Sequence, residues 1–222
     1  MDSLTVIAFC IISYLLGSIP TAVWFGKAYF GIDIRSQGSG NAGATNTLRT
    51  LGKKAGLFVL IVDFMKGFSA ANLMMLQNHL SNSDLMQREM YITFQLLFGA
   101  CAAAGHIYPV FANFKGGKGI ATMIGVVLAV DYELALLLIL TFIVVVAITQ
   151  YVSMASMLAA CLSPVYVYLL FRNSKFTQQP NFILFCMGFA TVVLITHRKN
   201  IVRLFHGNEN KTRLFKIKGR QK

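Results

Sequence analysis

Acidic residues are scarce in this chain: 8 Asp+Glu stand against 20 Lys+Arg in 222 residues. Charge of either sign is thin, at 13% of residues, where soluble domains carry about 25%. Cysteine offers little. Cys10, Cys101, Cys161 and Cys186 all fall in apolar runs, and no C-x-x-C pair exists to suggest a metal site or a disulfide frame. No H-E-x-x-H or D-x-D stretch occurs, so no metal is expected. No acidic residue sits in a motif to orient a histidine for a nucleophilic serine. No Lys or Arg precedes the first apolar run, so the basic n-region of a secretory signal is missing. No internal repeat is evident, which weighs against many transporter folds. What is abundant is apolar sequence: 56% of residues, in long continuous runs. Such runs read as membrane spans. They lack the one-sided stripe of a soluble amphipathic helix and the alternation of a barrel strand.

The expected fold is an all-α integral membrane protein of seven transmembrane helices, forming one domain over residues 1–222. The spans read as Leu4 to Lys27, Gly56 to Leu76, Met90 to Val110, Ile120 to Val130, Leu134 to Ile148, a sixth that follows the polar step Thr149 to Ser153 and runs to Leu170, and Asn181 to Thr196. Pro20 should kink the first. The fourth has only eleven residues. At 1.5 Å per residue that is about 17 Å against a bilayer core of about 30 Å. Asp63 and Lys66 share a face of the second span and need each other or a polar cavity.

Seven spans put the termini on opposite sides. One side collects Lys27, Arg35, Arg49, Lys53, Lys54, Lys115, Lys118 and the nine basic residues of the tail from His197 to Lys222. The other side keeps Arg88, Arg172 and Lys175. The positive-inside rule then places the N-terminus outside and the C-terminus in the cytoplasm. The basic loops suit anionic lipid and anionic substrates. They are divided among several segments, so no nucleic acid partner is expected.

Three polar stretches fall on the basic side. Gly38 to Arg49 reads G-S-G-N-A-G-A-T-N-T-L-R. Nothing in it should build a hydrophobic core. Its glycines suit a backbone that turns its N–H groups toward an anion. The G-x-G-x-x-G match with Asp63 twenty residues on is numerically a dinucleotide fingerprint. It follows a membrane helix rather than a strand and is rejected. Arg49 offers a fork of donors suited to phosphate. Lys115-Gly116-Gly117-Lys118-Gly119 resembles the end of a P-loop but fails the pattern at Ala112 and Gly119. His106 precedes it, placed by the sequence at the membrane surface. His197 and Asn200 end the last span three residues apart, on one face if a helix continues. The bland alternatives are a flexible loop and ordinary basic anchors.

The motifs together resemble the bacterial PlsY-type glycerol-3-phosphate acyltransferases. The matching residues are S-G-N-A-G-A-T-N-T-L-R, G-H-I-Y-P-V-F-A-N-F-K-G-G-K-G and H-R-K-N-I-V-R-L-F-H-G-N-E, with D-F-M-K-G and T-Q-Y-V-S as lesser matches. The resemblance runs in order from Gly17 to Glu209. It implies transfer of a fatty acyl group from acyl phosphate to the 1-hydroxyl of sn-glycerol 3-phosphate. The products would be lysophosphatidate and phosphate, made without cofactor or metal in the bacterial inner membrane. Carried across, Ser39, Arg49, His197 and Asn200 would be catalytic. Gly38, Gly40, Asn41, Gly43, Thr45, Asn46, His106, Lys115, Gly116, Gly117, Lys118, Gly119 and Ser153 would bind substrate. Glu209 would be structural, and Ser156 rivals Ser153 for its match. Two routes for the proton stay open: to the donor phosphate in a direct one-step transfer, or to His106 or His197 as base. A transporter for a phosphorylated metabolite and a lipid-binding scaffold are the competing classes. The oligomeric state is left open.

Overall fold

The structure, a computed structural model, describes residues 2–76, 88–171 and 180–212. Arg172, Lys175 and the tail past Thr212 lie outside the described residues. Among the described residues the chain is helical, with no strand. Helix α1 (Ser3–Ser18) stops at Ile19, and α2 (Thr21–Phe30) starts after Pro20. A proline lacks the N–H that would continue the ladder, and it pushes the preceding residue to extended backbone. Ile19 is extended accordingly, at φ −61° and ψ 109°. The ladder is thus interrupted at Pro20, while α1 and α2 together form one apolar span, Ser3–Phe30.

Helix α3 (Ala44–Leu51) and a short 3-10 turn at Ile34–Ser36 lie in what the sequence suggested was a plain polar loop. This region has its own small core. Ile34 is fully buried with Ala22, Val23, Val59 and Ala42, and Ala44 and Leu51 pack against them. The expectation that Gly38 to Arg49 builds no core therefore needs correction: two alanines suffice, because Ile34 supplies the bulk. Asp33 accepts three hydrogen bonds from Arg35, from its backbone N–H, Nε and Nη2, and Arg35 donates from Nη1 to the Ala112 carbonyl. The Arg35 bond holds the Asp33 carboxyl well below the usual carboxylate range despite partial burial. This clamp ties the first polar stretch to the second.

The remaining helices are α4 (Lys53–Ala71), α5 (Arg88–Ile107), α6 (Ile120–Val130), α7 (Tyr132–Thr149), α8 (Val152–Phe171), α9 (Pro180–Thr196) and α10 (Arg198–Phe205). Two helix pairs approach closely through glycine. Gly17 and Gly105 press against backbone across the α1–α5 crossing, and Gly67 and Gly125 do so between α4 and α6. In lipid the gain from such contacts is van der Waals packing between backbones. A second core joins α5 to α9 through Leu96, Val127, Leu138, Val167 and Phe182.

Among the described residues, five helices are long and apolar enough to cross a membrane, or six if the bent pair α9–α10 counts as one. The short α6 is the further apolar helix. It is walled in by α4, α5 and α7, with Met123, Gly125, Val126 and Val127 buried. A helix inside a bundle need not match the bilayer thickness. Helix α10 turns by 62° from α9, so the expected polar tail begins as a helix.

Candidate active site

A cavity of about 500 Å³ opens where the three polar stretches meet. Its polar wall holds Ser39, Asn41, Gly43, Thr45, Asn46 and Arg49, with Lys118, Gly119, Ser153, His197, Asn200 and Glu209 opposite. Its deeper wall is apolar, with Leu60, Phe64, Ile124, Leu138 and Phe142 among others. A site that is polar at one end and greasy at the other suits a ligand with an anionic head and an apolar tail.

The first stretch builds its wall by bracing itself. The Asn46 amide donates to the carbonyls of Ile34 and Gln37, and its oxygen accepts from the Ser39 N–H at 2.8 Å. Both Asn46 donors are therefore engaged within the loop. The side chain thus braces the loop while also lining the cavity. Gly38 (φ 57°) and Gly40 (φ 72°) adopt left-handed backbone, and a Cβ at Gly38 would collide with the Asn46 oxygen. Neither glycine lines the cavity; they turn the chain. Gly43, Ala44 and Thr45 do line it. They form the N-terminal turn of α3, where amide N–H groups lack intrahelical partners and favour an anion. Arg49, one turn on, donates from Nη2 to Asn210 O (3.0 Å) and to Thr212 Oγ1 (2.6 Å). Its Nε is buried with no hydrogen-bond partner.

The second stretch divides. Lys118 enters the cavity and donates to Asn200 Oδ1 at 2.5 Å. Burial pushes its pKa down to about 8, opposed by Glu209 and reinforced by Arg203 and Arg49. Lys115 is exposed and is not part of the wall, so its expected binding role is not supported by placement. Gly116 and Gly117 lie against His106 rather than in the main cavity. Their backbone N–H groups donate to the Ile107 and His106 carbonyls. His106 lines the main cavity with Asp63, but its depth departs from expectation. It is not at the surface but 8% exposed, with Nδ1 3.7 Å from Asp63 Oδ1. A Cβ on Gly117 would overlap the far side of its ring. Asp63 Oδ1 accepts from Lys66 Nζ (2.7 Å) and Thr21 Oγ1 (3.1 Å). Lys66 also donates to the Ile19 carbonyl at the helix break. The acid near a histidine that no single motif contains is thus assembled from two.

The third stretch gathers on Glu209. Ser153 Oγ, Asn200 Nδ2 and Arg203 Nε donate to its carboxylate at 2.9, 2.7 and 2.8 Å. Burial pushes the Glu209 pKa up, but these three donors outweigh it and hold the carboxyl ionised. The structural role expected of Glu209 fits this hub. Ser153, not Ser156, makes the tertiary bond; Ser156 lines the cavity and donates back to the Val152 carbonyl. His197 Nδ1 lies 2.8 Å from the Val193 carbonyl. A carbonyl only accepts, so Nδ1 carries a proton, and Nε2 is the acceptor of the neutral ring. Among the described residues, no three His, Cys, Asp or Glu side chains are grouped to hold a metal ion.

The comparisons with known proteins decide the class. The family model for glycerol-3-phosphate acyltransferase matches residues 7–207. The chain belongs to this acyltransferase family. A glycerol-3-phosphate acyltransferase of Salinibacter ruber is 38% identical over 219 residues, 97% of this chain and 95% of the relative. One from Geobacillus kaustophilus is 41% identical over 203 residues, 91% and 94% of the two chains. The crystal structure of PlsY, an integral membrane glycerol 3-phosphate acyltransferase in its glycerol 3-phosphate form, superposes with TM-score 0.82. It is 34% identical and covers 94% of this chain and 96% of its own. The lysophosphatidic acid form gives TM-score 0.79 at 33% identity. This protein is therefore a multi-pass membrane acyltransferase of the PlsY type, and its work lies in phospholipid synthesis. Arg49's acceptors, Asn210 and Thr212, are what the sequence did not reveal in the acyltransferase site. A threonine in a basic tail carries no local signal of burial.

Proposed function

We propose that the enzyme transfers the acyl group of an acyl phosphate directly to the 1-hydroxyl of sn-glycerol 3-phosphate. One observation carries this reading: a single cavity joins a cationic mouth to an apolar cleft. The acyl chain lies in the cleft between α4, α6 and α7. The two phosphates occupy the mouth, one on the α3 N-terminus and Arg49, the other beside Lys118 and Asn200. The motifs face the cytoplasm, the N-terminus lies outside, and the single seven-span domain sits in the bacterial inner membrane. The charge asymmetry supports this orientation.

The glycerol oxygen attacks the acyl carbonyl carbon. A C–O ester bond forms, the anhydride C–O bond breaks, and inorganic phosphate departs. A mixed anhydride is already activated, so the protein supplies orientation, worth about 7–11 kcal/mol of barrier in favourable cases. Lys118 and Arg49 stabilise charge moving onto the leaving phosphate. In the direct route the hydroxyl proton passes to that phosphate. A specific observation favours a second route: His197 Nε2 is a free acceptor beside the cavity, its ring fixed by Val193 O. His106 is a poorer base because its ring is closed in by Asp63 and Gly117.

Purified protein given palmitoyl phosphate and radiolabelled glycerol 3-phosphate should form lysophosphatidate and phosphate in equal amounts. No acylated product, with label crossing vesicles instead, would establish a transporter. His197→Gln decides between routes. Abolished turnover with both substrates still bound makes His197 the base; retained turnover supports transfer of the proton to phosphate.

A further inference from the structure

Residues 208–212 lie beyond the segment matched by the family model, yet they are seated on the site. Glu209 anchors one end of this strap through Ser153, Asn200 and Arg203. Thr212 anchors the other. It is 5% exposed, and its N–H donates to the Gln150 carbonyl at 2.8 Å. That carbonyl belongs to a residue with left-handed backbone (φ 62°) at the α7–α8 turn. Between the anchors, Lys211 Nζ lies 5.7 Å above the Tyr151 ring. Arg49 reaches the strap from α3, across 163 residues of chain, and gives Nη2 to Asn210 O and Thr212 Oγ1.

The chemistry of these acceptors matters. A carbonyl and a hydroxyl orient a guanidinium without neutralising it. Arg203 takes the Glu209 carboxylate instead. Arg49 keeps its charge, half-buried, with Nε unpartnered and the side chain in the cavity wall. A free arginine has many rotamers, and fixing one before the ligand arrives removes that entropy from the binding step. We propose that Thr212 is a positioning residue: with Asn210 it takes both Nη2 hydrogens of Arg49 and so holds the side chain with Nη1 left to meet a substrate phosphate. This rests on the reading of Arg49 as a phosphate ligand.

The test compares wild type, Thr212→Val, Thr212→Ser, Arg49→Lys and the Thr212→Val/Arg49→Lys double variant, purified in detergent. Steady-state kinetics are run against glycerol 3-phosphate and palmitoyl phosphate in turn. Thr212→Val should raise KM for one phosphate substrate about tenfold, the size of one well-aligned interaction lost, with kcat within about threefold. Thr212→Ser should restore wild-type KM. In the Arg49→Lys background the valine change should move KM less than twofold, because the two positions act as one unit. A wild-type KM for both substrates in Thr212→Val overturns the proposal. So does an equal effect with and without Arg49, or a fall in kcat and thermal stability that serine does not restore. Should Arg49→Lys itself leave both KM values and kcat unchanged, the phosphate role of Arg49 fails, and the proposal with it. Failure of the acyl phosphate donor alone would be seen as absent turnover in wild type, with glycerol 3-phosphate binding by Thr212→Val still readable by calorimetry.

Discussion

Lys66, buried, and Lys118, half-buried, are lysines near one cavity, and they are built in opposite ways. Lys66 is 5% exposed and paired with Asp63 at 2.7 Å, with Ile19 O as a further acceptor. Lys118 has a neutral hydrogen-bond partner, Asn200 Oδ1, and no ion pair among the described residues; Glu209 acts on it only from beyond salt-bridge distance, against Arg203 and Arg49. A buried ammonium with a carboxylate is satisfied and pins structure. One held by an amide keeps an unmet demand for negative charge, which a phosphate can fill. In the proposed function, the difference separates charge that pins structure from charge that receives substrate.

The comparison breaks most visibly at Lys118. Lys118→Met should lower kcat/KM about 10²–10³-fold while the protein still purifies folded. Near-normal turnover would mean the anion sits elsewhere. Lys66→Met should do the reverse. Removing one partner leaves Asp63 buried and uncompensated, at a cost of about 3–5 kcal/mol. Thermal unfolding in detergent should fall sharply and recover in part in the Asp63→Asn/Lys66→Met double variant. A Lys66→Met protein as stable as wild type would show that the pair does not hold the helix break.

The same contrast explains what could be read from the sequence. Asp63 and Lys66 are three apart in an apolar helix, so their pairing follows from the period alone. The spans are long apolar runs, and even the break at Pro20 has a local cause. The site was legible as three stretches because unsupported glycines and donors look out of place beside membrane spans. Their division of labour was not legible. Nothing local tells Asn46, folded back on Ile34 and Gln37, from Asn200, which reaches Lys118. Nothing tells exposed Lys115 from Lys118. His106 looked like a surface residue because its acid lies 43 residues earlier, on α4, and only packing brings them together.

The third effect is one of pH. Lys118 has its pKa pushed down to about 8 from an ordinary 10.5. The folded state therefore gives up this proton more readily than the unfolded chain. Stability from this group rises as pH climbs from about 8 to 10.5 and is lowest below that window. Anion binding runs the other way, since it needs the cation. KM for the phosphate held by Lys118 should rise as pH passes about 8. Lys118→Arg, whose charge does not titrate in this range, should abolish that alkaline limb even if its geometry lowers the maximum. An unmoved limb would assign it to another group.

The smallest effect tests whether Lys118 depends on its surroundings in the way claimed. Glu209 raises the Lys118 pKa, while Arg203 and Arg49 lower it. Glu209→Gln keeps a hydrogen-bonding side chain but removes the negative charge and leaves Arg203 unpaired. Both changes push Lys118 the same way, so the alkaline limb should move to lower pH, by about one unit or less at the dielectric of a partly wet site. Lys66 supplies the control, because its carboxylate is Asp63, which is not among the charges that act on Lys118. Asp63→Asn should leave the limb where it is in the protein that folds. A limb that follows Asp63 rather than Glu209 would merge the two lysines into one electrostatic unit and end the distinction between them.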